Sequence, residues 1–211
     1  MDNILNKFIE KHQDLKPCKV DIERAITVFK SCYRKGGKVL IAGNGGSSSD
    51  SEHIVGELMK GFVRERKLPK EEMDALIRVE RDRGEYLAKH LQGSLPAISL
   101  SSHTSLMTAI ANDVGGDFIF AQQVQGYGRE EDVLCAISTS GNSENVVLAS
   151  IVAKAKGMKV VSLTGITGGR LAELSDICIR VPAEETYIIQ EFHVMIYHLL
   201  CRILEESFFV T

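Results

Sequence analysis

The sequence predicts a doubly wound α/β domain, a parallel sheet with helices on both faces. Three observations carry this. Five short apolar runs, 38–43, 96–100, 133–138, 159–165 and 177–182, read as strands. Unbroken apolar runs of this length suit parallel strands buried on both faces. The first four runs each lead into a polar loop and then a stretch of helical spacing, and strand–helix alternation of this kind builds a parallel sheet with crossover helices. The chain of 211 residues fits one such domain, so 1–211 reads as a single unit without short-period repeats.

Before the first strand, Ile4, Leu5, Phe8 and Ile9 form one apolar stripe and Ile22, Ala25, Ile26 and Phe29 another. They predict an N-terminal helical hairpin over 1–36 with Pro17 between its arms. A partner subunit is one outlet for such faces. A long apolar helix is expected over about 186–206. The segment 64–94 breaks the alternation. Its first 27 residues, 64–90, hold 15 charges, which predicts a mostly solvated helical insertion, either a lid or oligomer contact or a plain surface excursion.

Composition narrows the function. Lys and Arg total 25 against 28 Asp and Glu, a formal charge of −3 that gives nucleic-acid binding no support. The N-terminal segment is charged throughout and has no apolar core of a signal peptide. No apolar run reaches the ~20 residues of a membrane span. The five cysteines, 18, 32, 135, 178 and 201, form no CxxC pair and read as free buried thiols of a cytoplasmic protein.

Four clusters carry possible chemistry. Gly43-Asn44-Gly45-Gly46-Ser47-Ser48-Ser49 lies between a strand and a helix, where ligands bind in open α/β sheets. It lacks a full GxGxxG and a Walker GK[ST], so it reads as a close-approach anion loop or a capped turn, not a nucleotide site. Ser138-Thr139-Ser140-Gly141-Asn142-Ser143 offers four hydroxyls at a helix start, more than one N-cap uses. Two such loops on one sheet point to a phosphate. His53 and Glu57 stand at i and i+4, on one helix face, as two metal ligands, a ligand and a base, or a solvated pair. Gln190, Glu191, His193 and His198 lie in an apolar helix, where polar groups need partners or a ligand. Gln190 and His198 are about 12 Å apart along an ideal helix, so sharing one metal requires the side chains to lean together or the helix to begin near Gln190. Asn112-Asp113 suits a cap or a contact to a sugar hydroxyl.

AGNGGSSSDSEHIVGEL, AISLSSHTSLMTAIANDV, ISTSGNSENVVLA and QEFHVMIYH occur in this order over 42–198. In these motifs the chain resembles the phosphoheptose (sedoheptulose 7-phosphate) isomerases of the sugar-isomerase (SIS) group, along nearly its whole length. The resemblance implies a flavodoxin-like three-layer SIS domain. It implies substrate contacts from Asn44, Gly45, Gly46, Glu57, Asn112, Asp113 and Gln190, and a phosphate held by Ser138, Thr139, Ser140 and Ser143. It implies one zinc ion per subunit on His53, Glu57, Gln190 and His198, with Glu57 as base and His198 as acid in an aldose–ketose isomerisation through an enediol. It further implies a homotetramer with sites between subunits. One departure stands near the site: shorter members carry arginine four residues after the glutamate, where this chain has Gly61, with Lys60 before it and Arg64 and Arg66 after. The other reading is a non-catalytic SIS module that binds a sugar phosphate or a replication-initiator-type protein; such a module has no need of the four-residue His53/Glu57/Gln190/His198 set.

Overall fold

The five apolar runs form five parallel strands in the order β2-β1-β3-β4-β5. The structure, a computed structural model, describes residues 2–209. The strands are β1 (Val39–Gly43), β2 (Ala97–Ser99), β3 (Val133–Ile137), β4 (Lys159–Thr164) and β5 (Ile177–Arg180). Each is shorter than its apolar run, because the ends carry the turn into the next loop. The order 2-1-3-4-5 reverses direction at β1/β3, and in this topology the carboxyl edge at that point is where ligands bind.

Side chains alternate across a strand, and the sheet therefore divides the core in two. On one face Val39, Ile41, Cys135, Ile137, Val161 and Leu163 pack against the N-terminal helices and the last helix. On the other Leu40, Ala42, Leu134, Ala136 and Val160 meet Phe120, Val124, Val146, Val147 and Leu171. The first layer holds α1 (Asp2–Lys11), α2 (Lys19–Arg34), α3 (Gly46–Met59) and α10 (Thr186–Phe208). Pro17 falls in a short 3₁₀ turn, Gln13–Cys18, between α1 and α2. The second layer holds α7 (Ile119–Tyr127), α8 (Glu144–Ala155) and α9 (Gly169–Leu174). The remaining helix of the sheet's crossovers, α6 (Thr104–Asp113), buries only Ile110.

The charged insertion is a helical hairpin, α4 (Lys70–Val79) and α5 (Arg81–His90). Glu80 caps α5, accepting from the amides of Asp82 at 3.2 Å and Arg83 at 2.6 Å. At Gly84 the two arms touch so closely that a Cβ would meet the Leu76 carbonyl. The neck is closed by an antiparallel bridge, Lys67–Gln92. The expectation of a solvated segment holds for α4 and α5 but not for Arg66, which is fully buried. Cys178 is likewise half-buried rather than buried, while the other four thiols are buried and all five are free. Among the described residues no helix is long and apolar enough to cross a membrane.

Candidate active site

β1 delivers the chain into Asn44-Gly45-Gly46, and α3 starts at once. Gly45 sits at φ 55°, a left-handed conformation that favours glycine. Gly46 is glycine for a different reason: a Cβ there would lie 2.5 Å from the Gln190 amide nitrogen. The second turn of α10 thus rests on the first turn of α3. Asn44 and Asn145 exchange amide hydrogen bonds of 2.8 and 3.0 Å, which fasten this loop to α8.

The second loop is built around Ser138 and Ser143, whose hydroxyls are 2.9 Å apart. Ser143 occupies the N-cap of α8 but makes no capping bond with its side chain. Ser140 Oγ accepts the Asn142 amide at 3.1 Å, tightening the turn. Gly141, at φ 68°, lies so close to Gly168 that a Cβ would strike its carbonyl. A cavity of about 350 Å³ opens here, lined by Thr139, Ser140, Asn142, Thr186 and, with opposite preference for an anion, Glu184. Hydroxyls at a helix start beside a cavity of this size suit a phosphate monoester.

Further down, α3 and α10 bring three titratable side chains together. His53 Nε2 is 3.3 Å from Glu57 Oε1 and 3.4 Å from His198 Nε2. Tyr197 donates its hydroxyl proton to Asp50 Oδ1 at 3.2 Å, so its oxygen accepts from His53 Nδ1 at 3.0 Å. That network makes His53 Nδ1 a donor and turns its Nε2 towards Glu57 and His198. A single proton on that nitrogen satisfies one of those contacts; a cation satisfies both. Tetrahedral zinc with bonds of about 2.0–2.1 Å separates its ligand atoms by about 3.3–3.4 Å, so both distances match an edge of that tetrahedron. The donors are of the type zinc takes and two of their separations match, but among the described residues no three His, Cys, Asp or Glu side chains are placed together to hold a metal ion.

The electrostatics follow the burial. Burial and the neighbouring His53 lower the His198 pKa, and Glu57 partly offsets them. Burial raises Asp50 against the opposing pull of Tyr197 and His53. Burial and Asp50 push Tyr197 well up, which keeps its hydroxyl a donor. Glu57 divides its oxygens: Oε1 faces His53, and Oε2 lies 3.7 Å from Lys60 Nζ.

Four sequence-derived candidates stand outside these contacts. Gln190 is two turns up α10 from His198, with its amide over Gly46. Asn112 and Asp113 end the exposed helix α6, where Asn112 donates to Asp113 at 2.8 Å. His193, expected to be a satisfied interface histidine, is fully buried with neither ring nitrogen hydrogen-bonded. Burial lowers its pKa to about 4. Sequence reasoning missed Asp50 and Tyr197. Asp50 stands one turn before His53, and that i, i+3 spacing was the available signal.

A parallel 2-1-3-4-5 sheet is the order of flavodoxin-like α/β folds, and within that class the SIS domain pattern matches residues 87–165. The comparison then narrows. The chain is 40% identical to the phosphoheptose isomerase of Rhodospirillum rubrum over 98% of each chain. The solved phosphoheptose isomerase of Neisseria gonorrhoeae is 31% identical, with a TM-score of 0.71 over 96% of this chain and 98% of that one. The Francisella tularensis structure is 34% identical, with a TM-score of 0.72 over 97% and 94%. The chain belongs to the phosphoheptose isomerase family, and membership makes it an enzyme of the isomerase class.

Proposed function

We propose that the chain converts sedoheptulose 7-phosphate into D-glycero-D-manno-heptose 7-phosphate. The observation that carries this reading is the His53–Glu57–His198 cluster, set between α3 and α10, the helix whose first turn lines the hydroxyl-rich cavity. The phosphate lies against Ser138, Thr139, Ser140 and Ser143. Asn44, Gly45 and Gly46 let the sugar approach the sheet edge. Glu57 removes a proton from C1 while His198 gives one to the C2 oxygen, forming an enediol. Glu57 then returns its proton to C2, and His198 takes the proton of the C1 hydroxyl, which leaves the aldehyde at C1. Proton transfers by positioned side chains contribute about 10²–10⁴-fold to rate. His53, Glu57 and His198 would hold a zinc ion, which would supply Lewis-acid polarisation of the carbonyl oxygen; Gln190, the expected fourth ligand, sits over Gly46 in this chain and would have to move to join them. The two differently placed Glu57 oxygens support separate duties, Oε1 towards the ligand cluster and Oε2 for the proton.

The same reading includes a homotetramer with sites between subunits and a cytoplasmic location. Asn112 and Asp113 support the first part. They end an exposed helix and bond only each other among the side-chain contacts shown, which leaves them open to a sugar bound between copies.

Glu57→Gln tests the reaction. It should abolish turnover of sedoheptulose 7-phosphate with an unchanged circular dichroism spectrum; near-full activity sinks the mechanism. Metal analysis of the purified protein should give one zinc per subunit, and a chelator should remove both zinc and activity. Light scattering that returns a monomer mass would remove the shared site.

A further inference from the structure

How α3 ends fixes where Glu57 stands. The last carbonyls of a helix have no partner within it. Lys60 leaves α3 in an extended conformation, φ −140° and ψ 176°, so no left-handed cap folds back over them. The guanidinium of Arg66 takes that place. Its Nη1 donates to the Leu58 carbonyl at 2.6 Å and its Nη2 to the Glu57 carbonyl at 2.8 Å. A cation is also what the negative end of the helix dipole favours.

Arg66 is itself held from α10. Its Nε donates to Glu205 Oε1 at 2.8 Å, both side chains are fully buried, and the Phe209 ring covers the guanidinium at 4.7 Å. Glu205 lies seven residues past His198 on the same helix. Its carboxylate also accepts the amides of Phe62 at 2.8 Å and Val63 at 2.9 Å. The Phe62 ring in turn packs on the His198 imidazole, with centroids 5.6 Å apart. One ion pair therefore joins the helix of His53 and Glu57 to the helix of His198 and holds the ring that covers His198.

We propose that Arg66 and Glu205 are positioning residues for the isomerase site, setting the spacing of His53, Glu57 and His198 without touching substrate. The inference rests on the isomerase reading for its activity measurement only. Misplacement of a reacting group by about 1 Å can cost about 10²-fold in rate, so small slips of α3 against α10 are enough.

The test uses Arg66→Lys, Glu205→Gln and Phe209→Leu in the full chain. Turnover of sedoheptulose 7-phosphate is measured alongside thermal melting. The imidazole proton resonances of His198, which report the Phe62 ring packed on it, are followed by NMR and assigned with His198→Gln. Arg66→Lys and Glu205→Gln should lower kcat at least about tenfold with KM within about threefold, the pattern of lost transition-state alignment rather than lost binding. Phe209→Leu should lower kcat two- to fivefold (roughly, as a loosened rather than removed positioning contact). In each, the His198 resonances should move towards their solvent-exposed position. Phe209 is only partly buried near the chain end, so its variant decides the matter if the other two do not fold. Folded variants with kcat within about twofold of the parent and unmoved His198 resonances overturn the proposal, as does an activity loss equal to the unfolded fraction. If the parent chain does not turn over the sugar phosphate, the isomerase reading falls and the NMR result alone decides this inference.

Discussion

The two faces of the sheet bury polar groups in opposite ways. On the α7/α8 face, Gln123 donates to the carbonyls of Leu100 and Ile119 at 2.8 Å each, and Ser150 donates to Val146 in its own helix at 2.9 Å. Two of these three bonds stay within one helix, and the third spans 23 positions. On the α3/α10 face, Arg66 reaches Glu205 across 139 positions, and Tyr197 reaches His53 across 144. The second face therefore depends on long-range polar partners, and it is the one that carries the candidate chemistry. Local bonds hold a helix together; distant ones hold two helices at a set spacing.

That contrast can be broken experimentally, beginning with the largest effect. His198→Ala should lower kcat by about 10²–10⁴-fold with little change in thermal midpoint; equal losses of stability and activity would place His198 among ordinary core residues. Phe120→Ala, on the other face, should cost about 3–5 kcal/mol in urea unfolding while the folded fraction keeps its kcat. Activity lost beyond the unfolded fraction would mean that both faces serve the site. Glu205→Ala should cost a similar 3–5 kcal/mol, because it leaves a buried guanidinium without its carboxylate, and should lower kcat as well.

Acid supplies a milder probe. Burial raises the Glu205 pKa, but the amides of Phe62 and Val63 and the charge of Arg66 outweigh it and hold the carboxyl below its usual 4.5. A depressed folded-state pKa contributes stability that is full above the unfolded value and fades as pH falls through the folded one. Urea midpoints should therefore drop below about pH 4.5, and Glu205→Gln should flatten that part of the profile. An equal acid slope in both proteins would assign the loss to other carboxylates, Asp176 being the first to examine. Its pKa is also lowered, where burial is outweighed by the Val160 amide, Lys159 and Lys154. The smallest effect belongs to Ser150→Ala, about 1 kcal/mol, since its bond is local and replaceable.

Legibility in the sequence follows the same division. The strands were readable because a strand buried on both faces is apolar at every position. Both loops were readable because close approach of backbone demands glycine and because four hydroxyls exceed a cap. His53 and Glu57 were readable as an i, i+4 pair, since helical spacing is local. Arg66 was hidden among 15 charges in 64–90, where nothing marks one arginine as the buried one. Glu205 was hidden for the same reason beside Glu206, whose partner Arg64 lies at the surface. Gln190 was legible as a residue but not in its place: its separation from His198 was foreseen, whereas its seat on Gly46 needed the packing of α3 on α10.

The neck of the α4–α5 hairpin has a consequence for remodelling the protein. Lys67 and Gln92 pair at its root, Gly93 donates to the Arg66 carbonyl at 2.7 Å, and Gly61 donates to the Gln92 side chain at 2.6 Å. Outward of that closure, α4 and α5 pack chiefly on each other, at Gly84 above all, and bury no large side chain of their own. Loop closure changes by only about 0.6 kcal/mol for each doubling of length. The appendage is thus built as a cassette: exchange of the helices between Lys70 and His90 should leave the scaffold folded, whereas a cut at the root, where Gly93 holds the Arg66 carbonyl, should loosen Arg66.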